Sequence, residues 1–159
     1  MEPAKIRQLI DRHGASLVLY ARQWCRNPDD AVQEALIALV QEGSTPDEPV
    51  AWLFKVVQRK AINLARAEQR RQKYHQDASN QIDTWFDAKH DQRLIADEVE
   101  QALTTLTDVE RQIVVAKIWG ELTFEQIAEV VDMSSSAVHR HFRRALDSMS
   151  LLLGASHKK

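Results

Sequence analysis

The stretch "TFEQIAEVVDMSSSAVHRHFRRA", Thr123–Ala145, decides the fold. Thr123 and Gln126 stand three residues apart, the spacing of a capping box, in which the threonine caps backbone N–H groups and the glutamine reaches back to the cap's own N–H. A helix is therefore predicted to start here, with Phe124, Ile127, Ala128, Val130 and Val131 as its buried face. Asp132 and Met133 form the turn, because Asp tolerates the left-handed backbone that ends many helices. Ser134 is placed to cap the next helix, which begins near Ser135. On that helix Val138, Phe142, Ala145 and Met149 recur on one side at the 3.6-residue period, while Ser136, Arg140, Arg143 and Arg144 project from the other. A short apolar helix, a tight turn and a second helix with a polar start and guanidinium groups is the arrangement of a helix-turn-helix. In a major groove, Arg bonds bidentately to guanine, Ser donates or accepts, and further Arg hold phosphates. On this pattern alone, a solvated charged face on a helical hairpin is the competing reading.

The flanking sequence is helical too. Upstream, "TDVERQIVVAKIW" follows a capping-type Thr107 and ends at Gly120, and "LIADEVEQALTTL" precedes it from Leu94. At the other end, Ile6, Leu9, Ile10, Leu17, Tyr20, Ala21 and Trp24 predict a first amphipathic helix, bent near Gly14. "RNPDD" interrupts it, since Pro28 disfavours helix at Asn27 while Asp29 and Asp30 suit the first turn of a second helix running to about Gln41. "EGSTPDEP" reads as a loop whose Pro49 starts a third helix, which continues toward Tyr74 with no internal Gly or Pro. "QDASNQIDTWFDAKHDQ" is polar and acid-leaning, with Ile82, Trp85 and Phe86 as its large apolar residues, and reads as a linker. The predicted class is all-α.

Composition agrees. The chain has 159 residues with four Gly, four Pro and 44% hydrophobic content, a profile of helical globular proteins and not of disordered tails. Its single cysteine, Cys25, has no partner for an internal disulfide, and no apolar run reaches the ~18 residues of a membrane span. "MEPAKIRQLIDRHG" lacks the basic-then-apolar order of a secretory signal, so the expected location is the cytoplasm. A net charge of −2 supplies no overall attraction to nucleic acid, and any such binding must come from local clusters.

The third helix holds one. Lys55, Arg59, Arg66, Arg70 and Lys73 lie within about 60° of one another on a helical wheel. Leu53, Val57, Ala61 and Leu64 take the other side, with Trp52 and Asn63 beside the stripe. Only Glu68 offsets the seven basic residues from Lys55 to Lys73. No nucleophile–base pair, Gly-rich phosphate loop or metal-ligand spacing appears, so the chain is expected to be no enzyme and to need no cofactor. His139 and His141, two apart, do not share a face as an i, i+4 zinc pair would, and no metal site is expected.

Together the two halves resemble a known family. "PVAWLFKVVQRKAINLARAEQRR" is similar to the promoter −10 recognition segment of bacterial RNA polymerase sigma factors. "ALTTLTDVERQIVVAKIWGELTFEQIAEVVDMSSSAVHRHFRRAL" is similar to their −35-binding C-terminal domain. The size matches the extracytoplasmic-function (ECF) group, which keeps two small helical domains, regions 2 and 4. The resemblance implies a region 2 domain over residues 1–76, a linker over 77–93 and a region 4 helix-turn-helix domain over 94–159. It implies an alternative sigma factor that binds core RNA polymerase, directs initiation at promoters and assists −10 melting. The polymerase-binding residues it implies are Asp29, Asp30, Gln33, Glu34 and Ile37, with Leu36 and Val40 nearby. For the −10 element they are Gly43, Ser44 and Thr45 in the loop that receives a flipped base, then Trp52, Lys55, Arg59, Asn63, Arg66 and Arg70. Trp52 suits a base-stacking platform and a core position equally. For the −35 element they are Ser135, Ser136, His139, Arg140, Arg143 and Arg144. Linker acids Asp77, Asp83, Asp87 and Asp91 suit either nucleic-acid mimicry or a plain soluble tether. The resemblance further implies a free monomer with no membrane insertion, and an anti-sigma protein is a candidate partner. "NPDDAVQE" is shorter than the usual family wording, and Gln58–Lys60 stands where many members have Arg followed by Asn, which bears on the −10 sequence read.

Two other classes fit parts of the pattern. A stand-alone helix-turn-helix regulator would dimerise and bind a palindrome unaided. A sigma-like decoy would bind an anti-sigma protein and have no use for a basic recognition face.

Overall fold

The computed structural model describes residues 1–75 and 97–157, and the predicted linker over 77–93, with its acidic and aromatic candidates, lies outside them. The chain divides into two compact units, Met1–Asp91 and Gln92–Lys159. The described residues of both are helical, with no strand.

In the first unit, α1 (Pro3–Ala21), α2 (Pro28–Gln41) and α3 (Pro49–His75) pack pairwise against one another. Each begins with a proline, whose missing N–H costs nothing in the first turn. Asp29 and Asp30 sit in the first turn of α2, where carboxylates oppose the positive end of the helix dipole. α1 continues as one helix through Gly14. The core gathers Leu17, Tyr20, Ala31, Ala35, Leu39, Leu53, Phe54, Val57 and Ala61, all under 2% exposed. Tyr20 anchors it, with its ring edge-to-face to Trp24 at 5.0 Å and to Phe54 at 4.9 Å. No residue of α3 from Ile62 to Lys73 is buried, so its later turns carry no core.

In the second unit, α4 (Asp97–Thr104), α5 (Asp108–Val114) and α6 (Phe124–Val131) each pack on α7 (Ser135–His157). Thr107 caps α5, its hydroxyl accepting from Glu110 N at 3.2 Å and donating to Glu110 Oε1 at 2.8 Å. The buried Arg111 closes the end of α4: Nε donates to Leu103 O at 2.9 Å, and Nη2 to Leu106 O at 3.0 Å and Thr104 O at 3.3 Å. The helix expected to run on to Trp119 instead widens into a π-helical turn over Val115–Trp119, with Gly120 N donating to Val115 O at 3.0 Å. Gly120 is the stop the sequence predicts, capping the helix at φ −83°, and the left-handed residue is its neighbour Glu121 at φ 58°. The core here is Leu103, Ile113, Val114, Val115, Ala116, Ile127, Val138 and Ala145.

Candidate nucleic-acid interface

The helix-turn-helix forms as its local chemistry dictates. Thr123 N donates to Gln126 Oε1 at 2.9 Å and Gln126 N to Thr123 Oγ1 at 3.1 Å, completing the capping box. Asp132 ends α6 in the left-handed region at φ 58°, ψ 52°. Ser134 Oγ accepts from Ala137 N at 3.2 Å, satisfying one orphan donor at the start of α7. On α7, Val138, Ala145 and Met149 are buried and Phe142 half-buried, which turns Ser135, Ser136, Arg140, Arg143 and Arg144 outward. None of these three arginines has a hydrogen-bond or ion-pair partner among the described residues, so the charge of the face is uncompensated. His139 is exposed at the edge of this face, its ring against Phe124.

The stripe on α3 forms as predicted. Lys55, Arg59, Asn63, Arg66, Arg70 and Lys73 are all exposed, and Trp52 is half-buried at the stripe's beginning. Glu68, the acid of this stretch, pairs with Arg26 at 3.6 Å and so is directed away from the stripe. In the preceding loop Gly43, Ser44 and Thr45 are exposed. Thr45 also borders an open cavity of about 810 Å³ between α1 and the loop, which Lys5, Arg12, His13 and Asp47 help to line. Sequence reading did not single out those α1 residues, because nothing in their local spacing shows that the loop folds over them.

On α2, Asp29, Asp30, Gln33 and Glu34 are exposed, and Ile37 and Val40 are each 55% exposed. Large aliphatic side chains standing so far into solvent beside acids form a mixed apolar and anionic face, unlike the cationic faces of α3 and α7. Sequence reading also missed Lys117. It lies in the π turn, donates to Leu122 O at 3.2 Å and stands over the Phe124 ring at 4.5 Å, a contact that is invisible in linear spacing.

Comparison with known proteins assigns both units. The model "Sigma-70 region 2" matches residues 9–71, and "Sigma-70, region 4" matches residues 96–149. The ECF RNA polymerase sigma factor SigK of Mycobacterium ulcerans is 29% identical over 117 residues, 71% of this chain and 63% of that protein. The chain belongs to the sigma-70 family. SigK of Mycobacterium tuberculosis is 26% identical to this sigma factor over 137 residues, 80% of the present chain and 73% of the relative. Among solved structures, CnrH in complex with the cytosolic domain of CnrY aligns over 97% of this chain and 90% of that one, at a TM-score of 0.61 and 26% identity. The sigma factor RpoE of Bartonella quintana, solved with the anti-sigma factor NepR, aligns over 97% and 98% at a TM-score of 0.62. At 17% identity it supports the fold of this sigma factor and nothing finer.

Proposed function

We propose that this sigma factor binds core RNA polymerase, carries it to promoters and assists opening of the −10 region. The observation that carries the reading is the pair of uncompensated cationic faces, one on α3 and one on α7, held on separate units in the order of regions 2 and 4. The working boundaries are 1–76 for region 2, 77–93 for the linker and 94–159 for region 4.

Ser135, Ser136, Arg140, Arg143 and Arg144, with His139 at their edge, form the −35 face. Bidentate arginines read guanine there, and the remaining cations hold phosphates. Lys55, Arg59, Asn63, Arg66 and Arg70 track the −10 strand. Trp52 offers a stacking surface, and Gly43, Ser44 and Thr45 receive an extruded base. Each stacked base contributes about 1–3 kcal/mol, enough to offset the few kcal/mol of unpairing. Asp29, Asp30, Gln33, Glu34 and Ile37 engage the polymerase, the exposed aliphatics supplying apolar area and the carboxylates selecting a basic partner surface. The protein supplies recognition and the polymerase the chemistry, so the chain is no enzyme itself. It works in the cytoplasm; among the described residues no helix is long and apolar enough to cross a membrane. CnrH, 26% identical to this chain, was solved with the cytosolic domain of CnrY bound, which supports a protein partner for this chain as well, here taken to be an anti-sigma protein.

Run-off transcription with purified core polymerase on fragmented genomic DNA tests the reading. Discrete transcripts that need this protein are expected, and none, beside an active control sigma factor, would overturn it. Replacing Arg140, Arg143 and Arg144 together by Ala is expected to abolish those transcripts while core-polymerase binding persists. Unchanged transcription in that variant would favour a decoy that never contacts DNA.

A further inference from the structure

Phe124, the first residue of α6, has its ring held from three directions. The Lys117 ammonium lies 4.5 Å from the ring centroid. From α7, the Phe142 ring approaches to 5.5 Å at 67° and the His139 ring to 4.9 Å at 61°. His139 and Phe142 are i, i+3 neighbours, so both rings close on the same target from one side of α7. Phe142 is half-buried beside Val138 and Ala145, whereas His139 is exposed at the boundary between packing and the cationic face.

We infer that His139 is a positioning residue, whose imidazole against Phe124 sets the roll of α7 about its axis and thereby the direction in which Ser136 and Arg140 face promoter DNA. The inference rests on the proposed role of α7 in −35 binding and changes the part His139 plays in it. Edge-to-face ring pairs are directional, because the positive edge of one ring meets the negative face of the other. The buried aliphatic side chains of α6 and α7, Ile127, Val130 and Val138, carry no such angular preference. Lys117 pins the same ring from the π turn and is itself fixed by Leu122 O. The stack thus runs from the π turn through Phe124 to the edge of the recognition helix. An imidazole committed to Phe124 acts through its ring shape, and a phenyl ring can take its place. An imidazole reading a base or a phosphate acts through its N–H, and a phenyl ring cannot.

The test uses the full chain with core polymerase in run-off transcription on fragmented genomic DNA, with start sites mapped. His139→Ala is expected to lower output about 2- to 12-fold at every start site alike, the range an aromatic pair's strength converts to at tenfold per 1.4 kcal/mol. His139→Phe is expected to restore output to within about twofold, with the upstream base preference unchanged. Output from His139→Phe as low as from His139→Ala, or a changed preference at one upstream position, would overturn the inference. Thermal unfolding of His139→Ala, Phe124→Leu and the double variant gives a second decision that needs no transcription. The double variant's Tm shift is expected to be smaller than the two single shifts combined, and simple addition would sink the idea. Should the unsubstituted chain yield no transcripts, the promoter-binding reading fails, and the unfolding cycle still decides whether the two rings act as a unit.

Discussion

Glu121 and Asp132 share a backbone φ of 58°, in the region that crowds an L side chain against its own carbonyl. Asp132 is a residue type that visits this region readily, and it closes α6 there. Glu121 is not, and it follows a glycine that spends its freedom on an ordinary φ of −83°. Glu121→Gly is therefore expected to raise stability by about 0.5–1 kcal/mol in urea unfolding, and Glu121→Val to lower it by at least about 1 kcal/mol. Cys25 shows burial acting on chemistry. Withdrawal from water, with smaller contributions from the charges of Glu68 and Asp30, pushes its thiol from 9.0 up to about 11 against a lowering backbone hydrogen bond at Asn27. The native thiol should resist iodoacetamide at pH 7.5 and react once the chain is unfolded. Between pH 9 and about 11 the folded state holds a proton that the unfolded state has lost. Stability from this group is thus full below pH 9 and falls as pH rises through that window, and Cys25→Ala should flatten the decline in urea midpoints measured across it.

At the scale of elements, each helix boundary depends on either a local or a distant partner, and the difference decides what a mutation does. The start of α6 is local: Thr123 and Gln126 satisfy each other's backbone groups within one turn. The end of α4 is not. Its carbonyl at Thr104, with Leu106 beyond, has no backbone N–H partner among the described residues, and the guanidinium of Arg111 serves both from the next helix while adding a second bond to Leu103 O, which also accepts from Leu106 N at 3.3 Å. Arg111→Met keeps much of the volume and strands the Thr104 and Leu106 acceptors, so urea unfolding is expected to show a loss of about 2–3 kcal/mol. Arg111→Lys should recover only a small part, because one ammonium cannot span the fork of a planar guanidinium. A loss under 1 kcal/mol in Arg111→Met would mean that water replaces the guanidinium without penalty.

For the whole molecule, the decisive feature is that two cationic faces stand on two units of one chain. In the proposed function, two weak DNA-binding surfaces tethered on a polymerase act as one strong one, since the second contact forms at the effective concentration the tether sets. Neither face alone needs high affinity, and the near-neutral chain, with a net charge of −2, adds no general attraction to DNA. The free protein is therefore expected to give no specific footprint at sub-micromolar concentration in physiological salt, whereas core polymerase and protein together protect both promoter elements. A nanomolar specific footprint from the protein alone would contradict this and favour a self-sufficient regulator.

What the sequence determined by itself is everything whose partners lie within a turn or two. The capping box, the left-handed Asp132, the Ser134 cap, the proline starts of α2 and α3 and both cationic stripes follow from local backbone chemistry and helical period, and the structure has them where that chemistry requires. The tertiary structure decided what depends on residues brought together from different elements. Arg111 reads as one more surface charge until α4 ends beside it, and Lys117 as another until the π turn carries it over Phe124. The packing of the His139 ring on Phe124 likewise appears only once α6 and α7 are folded together. Spacing along a chain reports which face of a helix a residue occupies, and only packing determines what that face meets.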